Sequence, residues 1–321
     1  MGRRISAVFA AALIAAGCAG GGGLETSRGA GSVWKRATPK QAGIDPHVLD
    51  AADLKGVTSV LVARHGLLVF ERYFGIKPTD RVPVFSITKS VVSALVGIAL
   101  ADGRLRSVNE RLAEIVPGSD PRIRLRHLLA MSAGYGRQLN YGPTDAPTLA
   151  NRPLVSAPGT TFRYDSGSSD LLAAVVARVT GMPAAEYARR RLFKPLGVND
   201  VAWPGSHGGS GIVMHPRDLL AFGQLYLDGG MWHGKRIVPS SWVRSSTSPH
   251  IAVPPVQGVT NAYGYDWWIE TGGRPFFAAH GYLGQVLAVF PSLDEVVVVT
   301  SSEESFGTSE LVRRVADATR P

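Results

Sequence analysis

Strand-like segments lie at both ends of this 321-residue chain, with helical spacing between them, and that order constrains the fold more than any single motif. Residues 57–73 form two β-rich runs broken by His65-Gly66, the pattern of a hairpin with a glycine turn. Strand character returns after Trp232, in residues 263–269, 276–279, 285–290 and 296–301. From Ser86 to Leu100 the period changes, with Ile87, Val91, Ala94, Leu95 and Ile98 on one face and Asp102-Gly103 as a stop, which predicts a buried helix. Helical spacing recurs at 124–131, 169–179, 184–192 and 216–227, and an amphipathic helix is expected over 308–318. Strands from both termini around a helical middle predict one mixed sheet built from both ends, with a helical lobe inserted in it.

The first residues speak to location. Arg3 and Arg4 precede an apolar stretch from Ile5 to Ala16, and Ala15-Ala16-Gly17-Cys18 follows, the pattern of a secretory signal. The stretch is shorter than the roughly 20 apolar residues that span a bilayer. Cys18, the only cysteine, sits where a bacterial lipoprotein carries its lipid-modified cysteine, although Ala15 stands where leucine is usual. The expectation is a signal peptide over 1–17, a Gly-rich tether over 18–37, and a folded domain over 38–321. Its sheet lobe would comprise about 38–105 and 232–321, its helical lobe about 106–231. The product would be exported, as an envelope lipoprotein on the periplasmic side of a membrane anchored through Cys18, or as a secreted protein with an incidental cysteine.

With Cys18 used as an anchor, the domain has no thiol and must be held by packing and hydrogen bonds. The formal charge of +9 becomes +7 once Arg3 and Arg4 are removed, and the basic residues are scattered, so no nucleic-acid footprint is read. The eight histidines show no zinc spacing, and no cofactor or metal is expected. Residues 229–235 imitate a phosphate loop, but Arg236 stands where Ser or Thr would hold magnesium. No Gly-x-Ser-x-Gly elbow occurs.

Two Ser-x-x-Lys sequences occur, Ser32 to Lys35 and Ser86 to Lys89. The first has Pro39 close behind it and predicts no helix. The second opens the best helix in the chain, where a three-residue spacing puts both side chains on one face. A serine in the first turn also feels the positive end of the helix dipole. By spacing alone, Ser86 reads as an N-cap beside a solvated lysine.

The surrounding segments extend the motif. Phe85-Ser86-Ile-Thr-Lys89-Ser90, the helix to Gly103, residues 123–134, Pro158 to Ser166 and Pro195-Leu196-Gly197 resemble the blocks of serine β-lactamase and penicillin-binding-protein-like hydrolases. Residues 211–218, Tyr263 to Trp268 and Ala279 to Gln285 resemble most the branch of 6-aminohexanoate-dimer hydrolases and class C-related esterases. The resemblance implies an α/β (α+β) fold, with an antiparallel sheet flanked by helices and an inserted, mostly helical lobe. It also implies a serine hydrolase that needs no cofactor and forms an acyl-enzyme with a small ester or amide. Ser86 would be the nucleophile, Lys89 its proton partner, and Tyr164 the relay to the leaving group. The backbone N–H groups of Ser86 and Tyr282 would form the oxyanion hole. Ser166, Ala279, His280, Gly281 and Trp267 would contact substrate.

Two positions depart from the family pattern. Ser166 replaces the asparagine of Tyr-x-Asn, and the Lys-Thr-Gly or His-Thr-Gly motif appears as Ala279-His280-Gly281. The cation that would hold a β-lactam carboxylate is absent unless a shifted His280 serves, so ester or amide cleavage is favoured over penicillin hydrolysis. The alternatives are a D-alanyl-D-alanine peptidase or β-lactamase, and a non-catalytic binding lipoprotein. Taken alone, Tyr164 reads as a half-buried aromatic, His280 equally as a loop histidine satisfied by backbone or as a substrate contact, and His127 as a structural group that caps a helix or bridges the lobes. One of Trp267 and Trp268 is expected in the core.

Overall fold

The computed structural model describes residues 34–49, 55–136, 145–254, 260–303 and 307–320. Signal, cleavage site and Cys18 lie outside them. The strands of the main sheet are β1 (Val57–Arg64), β2 (Leu67–Tyr73), β3 (Ile251–Ala252), β4 (Ala262–Tyr263), β5 (Trp268–Glu270), β6 (Phe276–Gly281), β7 (Gln285–Phe290) and β8 (Glu295–Ser301). The helices that matter below are α1 (Thr88–Ala101), α2 (Leu125–Leu129), α3 (Ser166–Thr180), α4 (Pro216–Leu227), α5 (Ser240–Ser246) and α6 (Gly307–Asp317).

All pairings in the sheet are antiparallel, in the order β2-β1-β8-β7-β6-β5-β4-β3, so strands from both ends of the chain meet at β1 and β8. The β1–β2 hairpin closes at His65-Gly66, both at positive φ (52° and 69°), the two-residue turn whose twist suits a hairpin. Successive residues of the central strands alternate between two cores. Leu61, Ala63, Leu287, Val289, Val296 and Val298 face one, while Val60, Val62, Val286, Ala288, Val297 and Val299 face the other. Both faces are covered, which is why these strands read as unbroken apolar runs.

On the second face lies α6, burying Leu311, Val312 and Val315. Against the first lies α4, where a Cβ on Gly223 would come within 2.5 Å of Val296 and 2.6 Å of Leu287. Although its residues fall within the middle segment, α4 therefore packs on the sheet. Behind it α1 runs through the core with every residue from Thr88 to Ala99 buried. Gly97 is required there, because a Cβ would fall 2.2 Å from the Trp242 ring of α5, a helix the sequence pattern did not announce.

One strand expectation is corrected. Residues 263–269 are not a single strand but two short ones, paired Tyr263↔Trp268 and Ala262↔Ile269 around a four-residue turn. The turn needs Gly264, whose Cβ would lie 2.2 Å from Ser246 O, and Asp266 in the left-handed region at φ 58°. Apolar content resembled a strand here because the turn itself is buried.

Candidate active site

Ser86 sits in a short 3₁₀ turn, Phe85–Ile87, that runs directly into α1. The turn is entered through Phe85 at φ 48°, a left-handed conformation that costs energy for a bulky side chain and marks a position held by its surroundings. Two neighbours hold it. Val84 N donates to Ile212 O at 2.9 Å, and Gly281 lies so close that a Cβ there would be 2.4 Å from Val84 O. That contact brings the end of β6 against the nucleophile turn and sets Tyr282 edge-on to Phe85, ring centroids 5.7 Å apart.

One helical turn on, Lys89 is 1% exposed. Its Nζ donates to Ser86 Oγ at 3.0 Å, Ser166 Oγ at 3.1 Å and Gly209 O at 2.6 Å, so three neutral oxygens surround the amine. Gly209 belongs to a Gly-Gly segment pressed on the start of α3. A Cβ on Gly208 would meet Ser169 O at 1.9 Å, one on Gly209 the Ser166 Cβ at 2.8 Å, and Gly209 N donates to Asp170 Oδ1 at 2.8 Å.

Tyr164 and Ser166 flank Asp165, the N-cap of α3. Its carboxylate accepts from Gly167 N and Ser168 N and takes a bidentate grip from Arg152 at 2.9 and 2.8 Å. This buried clamp fixes the backbone on both sides, directing Ser166 to Lys89. The Tyr164 ring centroid lies 5.0 Å from Lys89 Nζ, and its ring stacks on Trp268 at 5.5 Å. Ser86, Lys89, Tyr164 and Ser166 are thus brought together, with Gly281 and Tyr282 alongside.

Three expectations change. Trp267 is fully buried among Phe222, Tyr226 and Phe277 and does not reach the cleft; Trp268 does. Trp267 ends the buried turn and packs into the core, while Trp268 begins β5. Ala279 is 2% exposed and turns its methyl into the core, contributing no side chain to a substrate. His280 is half-buried and edge-on to Trp268 at 6.2 Å. Burial, with the charge of Arg313 adding, lowers its pKa to about 4, so near pH 7 it is a neutral imidazole and no substitute for the missing cation. His127 has the expected structural place, its Nδ1 accepting from Arg124 N at 3.2 Å to cap α2. Burial lowers its pKa to about 4.

Sequence reasoning missed Gly209, Arg152, Trp268 as the cleft residue, and Asp266. The Gly208-Gly209 pair was a visible signal of close backbone approach; the Arg152–Asp165 clamp had none. Asp266 is a buried carboxyl beneath the site: Ser90 Oγ donates to its carbonyl at 2.6 Å, Ser169 Oγ to its Oδ1 at 3.4 Å, and burial pushes its pKa well up despite Lys89 nearby.

The profile of the Beta-lactamase family matches residues 48–319. The chain belongs to that family. It is 26% identical over 286 residues to the 6-aminohexanoate-dimer hydrolase of Paenarthrobacter ureafaciens, covering 76% of this chain and 72% of the relative. It is 29% identical over 177 residues to Esterase EstB of Burkholderia gladioli, covering 44% of this chain and 45% of that enzyme. Among solved structures, a penicillin binding protein from Bacillus halodurans superposes with a TM-score of 0.70 at 17% identity, over 83% of this chain and 98% of that one, which speaks to the fold alone. The fold is β-lactamase-like, and the chain falls in the serine hydrolase superfamily of β-lactamases, penicillin-binding proteins, esterases and amidases.

Proposed function

We propose that this protein cleaves small esters or amides through an acyl-enzyme on Ser86. The observation that carries the reading is the buried Lys89 amine, 3.0 Å from Ser86 Oγ and otherwise surrounded by neutral oxygens. In the first step Lys89 acts as the neutral amine, keeping two of its hydrogen bonds as donor and accepting the third from Ser86 Oγ, which attacks the carbonyl carbon while its proton passes to Nζ. The oxyanion faces the N–H groups of Ser86 and Tyr282. Collapse of the tetrahedral intermediate breaks the bond to the alcohol or amine, which leaves with the proton relayed by Tyr164. Water then adds to the acyl carbon, gives its proton to the same pair, and releases the acid and free Ser86.

The similarity to a 6-aminohexanoate-dimer hydrolase and to an esterase supports this substrate class. A buried Ala279 and an imidazole with a pKa of about 4 argue against efficient β-lactam hydrolysis. The decisive assay compares p-nitrophenyl acetate and butyrate with nitrocefin, using Ser86→Ala and Lys89→Ala. Ester turnover lost in both variants, with little nitrocefin cleavage, is expected; a wild-type rate in Ser86→Ala overturns the assignment and leaves a binding lipoprotein in its place.

Export with a lipid anchor on Cys18 is part of the same proposal and rests on the sequence of residues 1–18. Labelled palmitate incorporated by the full chain and lost in Cys18→Ala is the expected result. A soluble, unlabelled product rejects the anchor.

A further inference from the structure

Two aromatic pairs flank Ser86 and Lys89. On one side Phe85 meets Tyr282, whose ring is 58% exposed. On the other, the 40%-exposed Tyr164 stacks on the half-buried Trp268 with 23° between the planes. Trp268 is seated in turn, edge-on to Tyr263 at 5.0 Å and to Phe162 at 5.9 Å, so its ring is a fixed platform.

Two basic side chains act on this platform. Lys89 lies against the Tyr164 ring and Arg313 acts on His280. Three of the carboxyls nearest in the chain point inward: Asp165 to Arg152 and the N-terminus of α3, Asp170 to Gly209 N–H, and Asp266 into the core, whereas Glu270, two residues along β5 from Trp268 and paired with Phe276 at the end of β6 away from Gly281, accepts from Gly272 N–H. Aromatic faces attract cations as well as flat apolar groups. Here, however, Tyr164 already has Lys89 on its ring, and no free carboxylate among these three would balance a second ammonium.

The geometry points to Trp268 as the residue that selects the substrate, taking an uncharged, flat apolar acyl group such as an arylacetyl against its stack with Tyr164 and disfavouring acyl chains that end in an ammonium. The inference rests on Ser86 being the nucleophile, because that places the acyl group beside Trp268. It separates this chain from a preference for ω-amino amides.

Two measurements test it, one of them independent of turnover. In the Ser86→Ala protein, quenching of tryptophan fluorescence by phenylacetamide and by 6-aminohexanamide gives two dissociation constants. The aryl amide is expected to bind about tenfold more tightly, a difference of about 1.4 kcal/mol, and Trp268→Ala in that background is expected to remove the difference. In the otherwise wild-type protein, Trp268→Ala should lower the ratio of kcat/KM for p-nitrophenyl phenylacetate over p-nitrophenyl acetate about tenfold, with Trp268→Phe recovering most of it. Tighter binding of the amino amide, or an unchanged ratio in Trp268→Ala, overturns the inference. Aryl selectivity in binding by a wild-type protein that hydrolyses no ester would sink the nucleophile assignment and leave the selection by Trp268 standing.

Discussion

The two faces of the central sheet are filled by different kinds of interior. Beneath α6 the layer is largely aliphatic, with valines of β1 and β8 meeting Leu311, Val312 and Val315 and Phe290 among them. Its buried charged groups work as fasteners: Arg64 donates to the carbonyls of Ala42, Leu293 and Arg320, and Glu295 accepts from Thr319 Oγ1. The opposite face carries α1, with a buried lysine, several buried serines, a left-handed phenylalanine at the helix entrance and an ill-satisfied aspartate. One face holds its buried charged groups as fasteners between chain segments; the other gathers strain and buried polar groups where chemistry is proposed.

Matched substitutions on the two faces should therefore part company. The largest effect is expected for Lys89→Ala, which should lower kcat for p-nitrophenyl acetate about 10³-fold, within the range for loss of a general base, while thermal stability holds or rises. Wild-type kcat in that variant would erase the functional half of the contrast. Leu311→Ala removes only packing and should cost about 3 kcal/mol in urea unfolding with kcat unchanged.

The fasteners respond to pH. Burial raises the Glu295 pKa from 4.5 to about 7, so the folded chain holds this proton more tightly than the unfolded chain. The resulting stability is complete below about pH 4.5 and is lost as pH rises through about 7. Glu295→Gln, which keeps an oxygen for Thr319, should gain about 2 kcal/mol over wild type at pH 8 and nearly nothing at pH 4. Equal Tm shifts at both values would mean that Glu295 does not titrate in this range. The smallest effect sharpens the comparison within one dipeptide: Trp267→Phe should cost about 1 kcal/mol of stability and leave the phenylacetate-to-acetate ratio alone, the reverse of what Trp268→Ala does.

Much of this was legible in the chain because it is regular. The apolar, β-rich runs over 57–73 and 285–301, the His65-Gly66 turn, and the helical spacing of 88–101 and 216–227 each encode their own outcome within a short window. Ser86 and Lys89 were legible because they share one helix. The rest depends on residues far apart in sequence. Gly209 O reaches Lys89 across 120 positions, and the assignment of Trp268 rather than Trp267 to the cleft follows from a buried turn that no local pattern distinguishes from a strand. Arg152 and Asp165 are two of many charged residues until the fold brings them together.

The pairing of β1 with β8 also bears on timing. The strand at residues 57–64 finds one hydrogen-bonding neighbour at once, in β2, but its other edge waits for residues 295–301, far along the chain. A chain synthesised from its N-terminus therefore keeps an open strand edge, and an unsupported nucleophile turn, until residues 295–301 have been made. Enzymatic competence on this plan is an all-or-nothing property of the finished polypeptide, and a product truncated before β8 would be inert however well its first hundred residues had folded.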